Sequence, residues 1–156
     1  MNLKVRTRHQ SKVDDSVFFT IRTLNQIQRA RRDAKNLEGR QKYTEAVSAR
    51  SSLVDDVVPR AMSDEGERIK TWNEKATPDQ IRRLDMLADQ EGILLASIIM
   101  PMVLSAALVG IEGLIIEAKQ ILTVEDFIDN APDKLIQDAY DFCVKASGLT
   151  DEQQKN

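Results

Sequence analysis

The sequence predicts a mainly α-helical fold: a small helical domain, with a long charged helix and a short β-like ribbon at the N-terminus. Three observations carry this reading. Residues 92–111, GILLASIIMPMVLSAALVGI, hold no charge in a chain that is 30% charged, so most burial is expected there. Leu84, Leu87, Ala88, Leu95, Ile98, Ile99 and Met102 recur at helical spacing and follow one buried face into that run. Strand-like patterning is clearest in residues 3–24.

The ribbon comes first. Residues 3–8 alternate apolar and basic, and residues 16–24, SVFFTIRTL, are rich in β-branched and aromatic types. They read as two strands joined near residues 11–15. A two-stranded ribbon is marginal alone, so the side carrying Val17, Phe19 and Ile21 requires a cover. From residue 24 to 58 the period changes: Leu24, Ile27, Ala30, Ala34 and Leu37, then Tyr43, Val47, Val54, Val57 and Val58, predict one long helix. It is weakened at Gly39 and ended by Pro59. So thin an apolar stripe calls for a partner helix, which makes Leu24, Ile27, Ala34, Leu37, Tyr43 and Val47 candidate partner contacts.

Residues 61–76 read as a polar linker anchored by Trp72. Thr77, Pro78 and Gln80 form a helix start, with a Thr cap, Pro at the first position and Gln three after the cap. The core helix then runs into the uncharged stretch and should kink or end before Pro101. Leu95, Ile98, Ile99, Leu104 and Leu108 are expected in the core. Residues 114–122 fit either a hairpin or a further helical turn, Thr123 with Asp126 fits a capping box, and Pro132 opens the last helix. On that helix Leu135, Ala139, Phe142, Cys143 and Ala146 share one side. Lys134, Gln137, Asp138, Asp141 and Lys145 take the other, and Gly148 marks its stop. The expected division is 1–60 for strands and basic helix, 61–76 for the linker and 77–156 for the helical core.

A span of 20 uncharged residues is long enough for a bilayer, but its nearest flanking charges are acidic and it contains Pro101 and two serines. A soluble domain with no membrane association is the preferred reading. The residues 1–10, MNLKVRTRHQ, hold no apolar run, so no secretory leader is expected. The single cysteine allows no internal disulfide and favours a reducing compartment. The net charge of -3 is uneven: residues 1–50 hold 12 Lys/Arg against 5 Asp/Glu. A basic front half points to a nucleic-acid or acidic partner, or to contact with its own acidic half or a neighbouring copy.

The chemical inventory argues against an enzyme. His9 is the lone histidine and Cys143 the lone cysteine, so a zinc or Cys/His site has almost nothing to be built from. Gly110 and Gly113 lack the Lys-Ser/Thr of a phosphate loop, and no Gly-x-Ser-x-Gly occurs. The pairs Asp14-Asp15 and Asp55-Asp56 point apart on a helix and read as solvated charge. No cofactor or metal is expected. Arg29, Arg31, Arg32, Lys35 and Arg40 could track phosphates, although Asp33 and Glu38 interrupt them and no aromatic residue stands among them.

The segments GIEGL (residues 110–114) and ILTVEDFIDNAP (121–132), an amphipathic helix and a closing SGLTDEQQKN (147–156) resemble the tail assembly chaperones of long-tailed bacteriophages. FFTIRTL (18–24) running into a charged helix is similar to small phage tail proteins of this kind. The resemblance implies a mostly helical non-enzyme of the host cytoplasm that coats the tape measure protein before the tail tube polymerises around it. The strand-like N-terminus departs from that all-helical picture. Copies of the chain itself are the other expected partner. The alternatives are a small nucleic-acid-binding regulator using the basic helix and a structural component that stays in the tail. Such chaperones are commonly made in two lengths by a ribosomal frameshift. Gln154, Lys155 and Asn156 can be encoded as a run on which a ribosome slips, so a longer form is a further expectation.

Overall fold

The structure, a computed structural model that describes residues 5–147, is mostly helical with a small three-stranded antiparallel sheet. It divides into two compact units: one built from the chain's two ends, up to Asn36 and from Ile99, the other from Leu37–Ile98. The expected boundaries at 60 and 76 do not coincide with these units, for two reasons. The N-terminal strands pair with a strand late in the chain, and the supposed linker holds a helix, Glu65–Lys75.

In the first unit, β1 (Arg6–Gln10) and β2 (Phe18–Arg22) form the expected antiparallel pair, with His9 opposite Phe19. β3 (Leu108–Glu112) adds to the other side of β2 with Phe19 opposite Ile111, and its register slips between Thr20 and Ile21. The ribbon thus gains the third strand it needs. Val17, Phe19 and Ile21 are fully buried on the inner face, as their period of two requires. The core opposite them comes from the end of the uncharged run: Met102, Val103, Leu104, Ala107, Leu108 and Ile111.

Two helices close this core. α6 and α7, numbered as the sixth and seventh helices of the chain, span Val124–Asn130 and Asp133–Ser147. Thr123 caps the first by accepting from the Asp126 amide, and Phe127 packs edge-on against Phe19 at 5.7 Å. Leu135, Ala139 and Cys143 are buried on the second, the face that helical spacing selects. Asp138 corrects the expected outer face, being 7% exposed. Its carboxylate accepts from the Ser11 hydroxyl at 2.7 Å and the Lys12 amide at 2.9 Å, so it fastens the β1–β2 loop to α7. Gly148 lies outside the described residues.

Residues 114–122 resolve as a hairpin, β4 (Ile115–Ile116) and β5 (Lys119–Gln120). Its two-residue turn holds Glu117 and Ala118 at φ 49° and 63°, the left-handed pair of a tight hairpin. Gly113, at φ 79°, sits where a Cβ would run into the Ser16 carbonyl oxygen, so only glycine fits there.

The long charged helix is not one helix. α1 (Gln26–Lys35) and α2 (Leu37–Asp55) are separated at Asn36, three residues before the suspected weak point Gly39. Asn36 adopts φ -117° and ψ 23°, its amide donates to the Asp33 carbonyl and its side chain donates to the Arg32 carbonyl. A short amide side chain thus takes a helix acceptor and ends the ladder. The second unit packs α2 on α4 (Pro78–Leu94), with α3 (Glu65–Lys75) between them in sequence. Arg50 meets Glu91 at 2.5 Å while Gly39 meets Ile98, so α2 and α4 run antiparallel. Gly39 therefore allows close approach: a Cβ there would lie 2.5 Å from Ile98 Cγ2.

The cap at Thr77 forms as expected, with Gln80 reciprocating. The helix does not end before Pro101. A π-helical turn (Leu95–Ile99) leads into α5 (Met100–Ala107), widening the backbone where the proline cannot donate to residue 97. The run Pro78–Ala107 is long and apolar enough to cross a membrane by length and composition, and only 17% of its most apolar window is buried. Burial of the uncharged stretch is consequently split. Leu104 and Leu108 are core residues, but Leu95, Ile98 and Ile99 are half-buried and Ile93 is 65% exposed. The expected face fares likewise, with Leu84 and Leu87 half-buried and Ala88 exposed.

Candidate interaction surfaces

The candidate partner stripe divides between the units: Leu24, Ile27 and Ala34 belong to the first, Leu37, Tyr43 and Val47 to the second. Asn25 opens α1 with a reciprocal capping box to Gln28, an Asn-x-x-Gln signal that the sequence itself carries. That cap forms α1 locally, yet none of its residues is buried. Ile27 is 63% exposed, Leu37 51%, and Ala34 is exposed as well. Leu24 is buried, while Tyr43 and Val47 are half-buried.

The basic candidates on α1 are not equivalent. Arg29 donates to the Leu24 carbonyl at 2.9 Å, and Arg32 pairs with its neighbour Asp33 at the same distance. Arg31 and Lys35 are exposed at four-residue spacing, and Arg40 lies half-buried on α2. A row of free cations is therefore not what α1 presents.

Two of the concave surfaces of the second unit are the most apolar. One is a cleft of about 370 Å³ between α2, α3 and α4, floored by Val54, Val58, Ile69, Trp72 and Leu84. Trp72, half-buried on α3, lines this cleft. Arg68 is spent locally, donating to the Pro59 and Met62 carbonyls. The other is a shallow hollow of about 520 Å³ on α4, ringed by Arg83, Met86, Asp89, Gln90 and Ile93. Met86 is 72% exposed. Half-buried Leu87 and Leu94 line the same hollow, while Glu91 on α4 and Ile98 in the π-helical turn beyond it meet α2.

Local surroundings shift the titration of Cys143 and Asp14. Burial pushes the Cys143 thiol up to about 12, away from the thiolate a nucleophile needs. Asp14 is held below its ordinary value by the Ser16 hydroxyl and amide, which donate at 2.6 and 3.0 Å. Asp55 pairs with Arg60 at 2.9 Å. Among the described residues no three His, Cys, Asp or Glu side chains converge as a metal site would need. His9 stacks on Phe142 at 4.7 Å, and Lys12 stands over the same ring. Neither that stack nor the Asp138 clasp was legible beforehand, because each joins residues more than 120 positions apart.

Comparison of the chain with protein-family profiles, with curated proteins and with solved structures finds no match.

Proposed function

We propose that this chain is a non-enzymatic binding protein for apolar helical segments, acting as the tail assembly chaperone of a long-tailed phage. In this reading it works in the host cytoplasm and holds the tape measure protein before the tail tube polymerises. One observation carries the binding role. Ile27, Leu37, Ile69, Met86 and Ile93 stand more than half exposed on or beside helices of a chain that is 30% charged. Aliphatic side chains left in water along helices are what a helix-binding protein presents to its client. The phage assignment rests on the resemblance of residues 110–156 and 18–24 and goes no further than it.

Co-expression with the tape measure protein of a long-tailed phage whose genome encodes this chain tests the proposal. The two proteins should co-purify, and the double variant Ile27→Asp, Leu37→Asp should lose the client while keeping its helical circular dichroism. Failure of the wild type to hold that protein would reject the chaperone reading. The nucleic-acid alternative makes its own demand, binding to duplex DNA that falls steeply with salt and disappears in Arg31→Gln, Lys35→Gln. A tail component would instead be found in purified particles.

A further inference from the structure

The hollow on α4 has a feature that the chaperone reading does not use. Its two charged residues, Arg83 and Asp89, are exposed and have no ionic or hydrogen-bonded partner among the described residues. The neighbouring Arg82 is occupied by Asp79 one turn earlier, so Arg83 is the cation left over. Arg83 lies three residues before Met86 and Asp89 three residues after it, on the same side of the helix. Met86 is thus the centre of a short pattern that reads positive, apolar, negative.

We propose that this face of α4 is a contact between two copies of the chain, packed antiparallel about a two-fold axis through Met86. Rotation about that axis brings Arg83 of each copy opposite Asp89 of the other, so one self-complementary patch makes the ion pair twice. The two Met86 side chains meet at the axis, where an unbranched thioether adapts to an irregular gap. Ile93 on each copy then falls opposite Asp79 of the other, beside the apolar stem of the Arg82 that pairs with that carboxylate. A parallel copy would set Arg83 against Arg83 and Asp89 against Asp89, and it would align the helix dipoles unfavourably. The same charge order disfavours a client helix of arbitrary sequence, which would meet one sign at each end of the hollow. The proposal requires no client; it takes Met86 and Ile93 for the second copy and leaves Ile27, Leu37 and Ile69 to the chaperone reading.

Analytical ultracentrifugation of the full chain over a range of concentrations tests it by charge exchange. The wild type should show a monomer–dimer equilibrium. Arg83→Asp and Asp89→Arg should each move its midpoint to about tenfold higher concentration or more, because each places like charges face to face. An equimolar mixture of the two variants should recover the wild-type midpoint, since every pair is again opposite in sign. Both positions are exposed, and unchanged helical circular dichroism verifies that the folds persist. Met86→Glu should also dissociate the dimer. A wild type that stays monomeric, variants that dimerise normally, or a mixture that fails to recover would each overturn the proposal. So would phosphatidylcholine vesicles that sediment the wild type and not Met86→Glu, because the face would then serve a membrane.

Discussion

At Asp138 one carboxylate does the work of a loop anchor. It takes two donors from the β1–β2 loop in a nearly dry setting, Ser11 being 5% exposed. Asp138→Ala leaves the buried Ser11 hydroxyl and the part-buried Lys12 amide without this acceptor and should cost about 1–3 kcal/mol in chemical denaturation. Asp141→Ala, on the exposed side of the same helix, should stay within about 0.5 kcal/mol. The hairpin turn offers the converse case. Ala118 holds φ 63°, where its Cβ crowds the following carbonyl, a strain of roughly 1–2 kcal/mol. Ala118→Gly should therefore stabilise the first unit, by less than the full strain because glycine loses more freedom on folding. A lower denaturation midpoint for that variant would show that the turn is relaxed by other means.

At the scale of an element, the second unit depends on how closely α2 approaches α4. Gly39→Ala drives a methyl into Ile98 at its branch point, where the side chain has little room to yield, and should destabilise. The same change in an Ile98→Ala background should lose most of that penalty, a coupling that a double-mutant cycle measures. Gly92 has open space around its missing Cβ in an exposed helix interior, so Gly92→Ala should stabilise by about 0.5–1 kcal/mol. The uncharged stretch itself behaves as two elements. Leu104→Ala removes a side chain 1% exposed and should cost about 2–5 kcal/mol. Ile93→Ala, at 65% exposure, should move stability by less than about 0.5 kcal/mol.

Across the whole molecule, Cys143 reports on the first unit. It is the only cysteine and is fully buried beneath the sheet, with its thiol pushed up to about 12. At pH 8 a thiol reagent should label it only as fast as that unit opens. Because the folded thiol binds its proton more tightly than the unfolded one, the unfolded state ionises first as pH rises. Stability is therefore unaffected below about pH 8.5 and falls between there and pH 12. Cys143→Ala should flatten that part of the alkaline profile, and an unchanged slope would mean that other groups cause it.

What the residues determined alone is what depends on neighbours in sequence. Period two in residues 16–24 placed the inner face of β2, and period 3.6 placed Leu135, Ala139 and Cys143 on the buried side of α7. The Thr77 and Thr123 caps were legible because their partners lie three residues away. Residues 114–122 fit two readings in sequence because Glu-Ala replaces the Asn-Gly that normally marks such a turn. Helix propensity points to Gly39 and not to Asn36 as the weak point, yet close packing on Ile98 is what Gly39 serves. Tertiary structure alone decided that β3 joins the N-terminal ribbon, that Asp138 turns inward, and that the first half of the uncharged run is only partly buried. Composition states how much apolar surface there is to bury. Which of it is buried depends on which distant segments come to lie against it, and no local period encodes that.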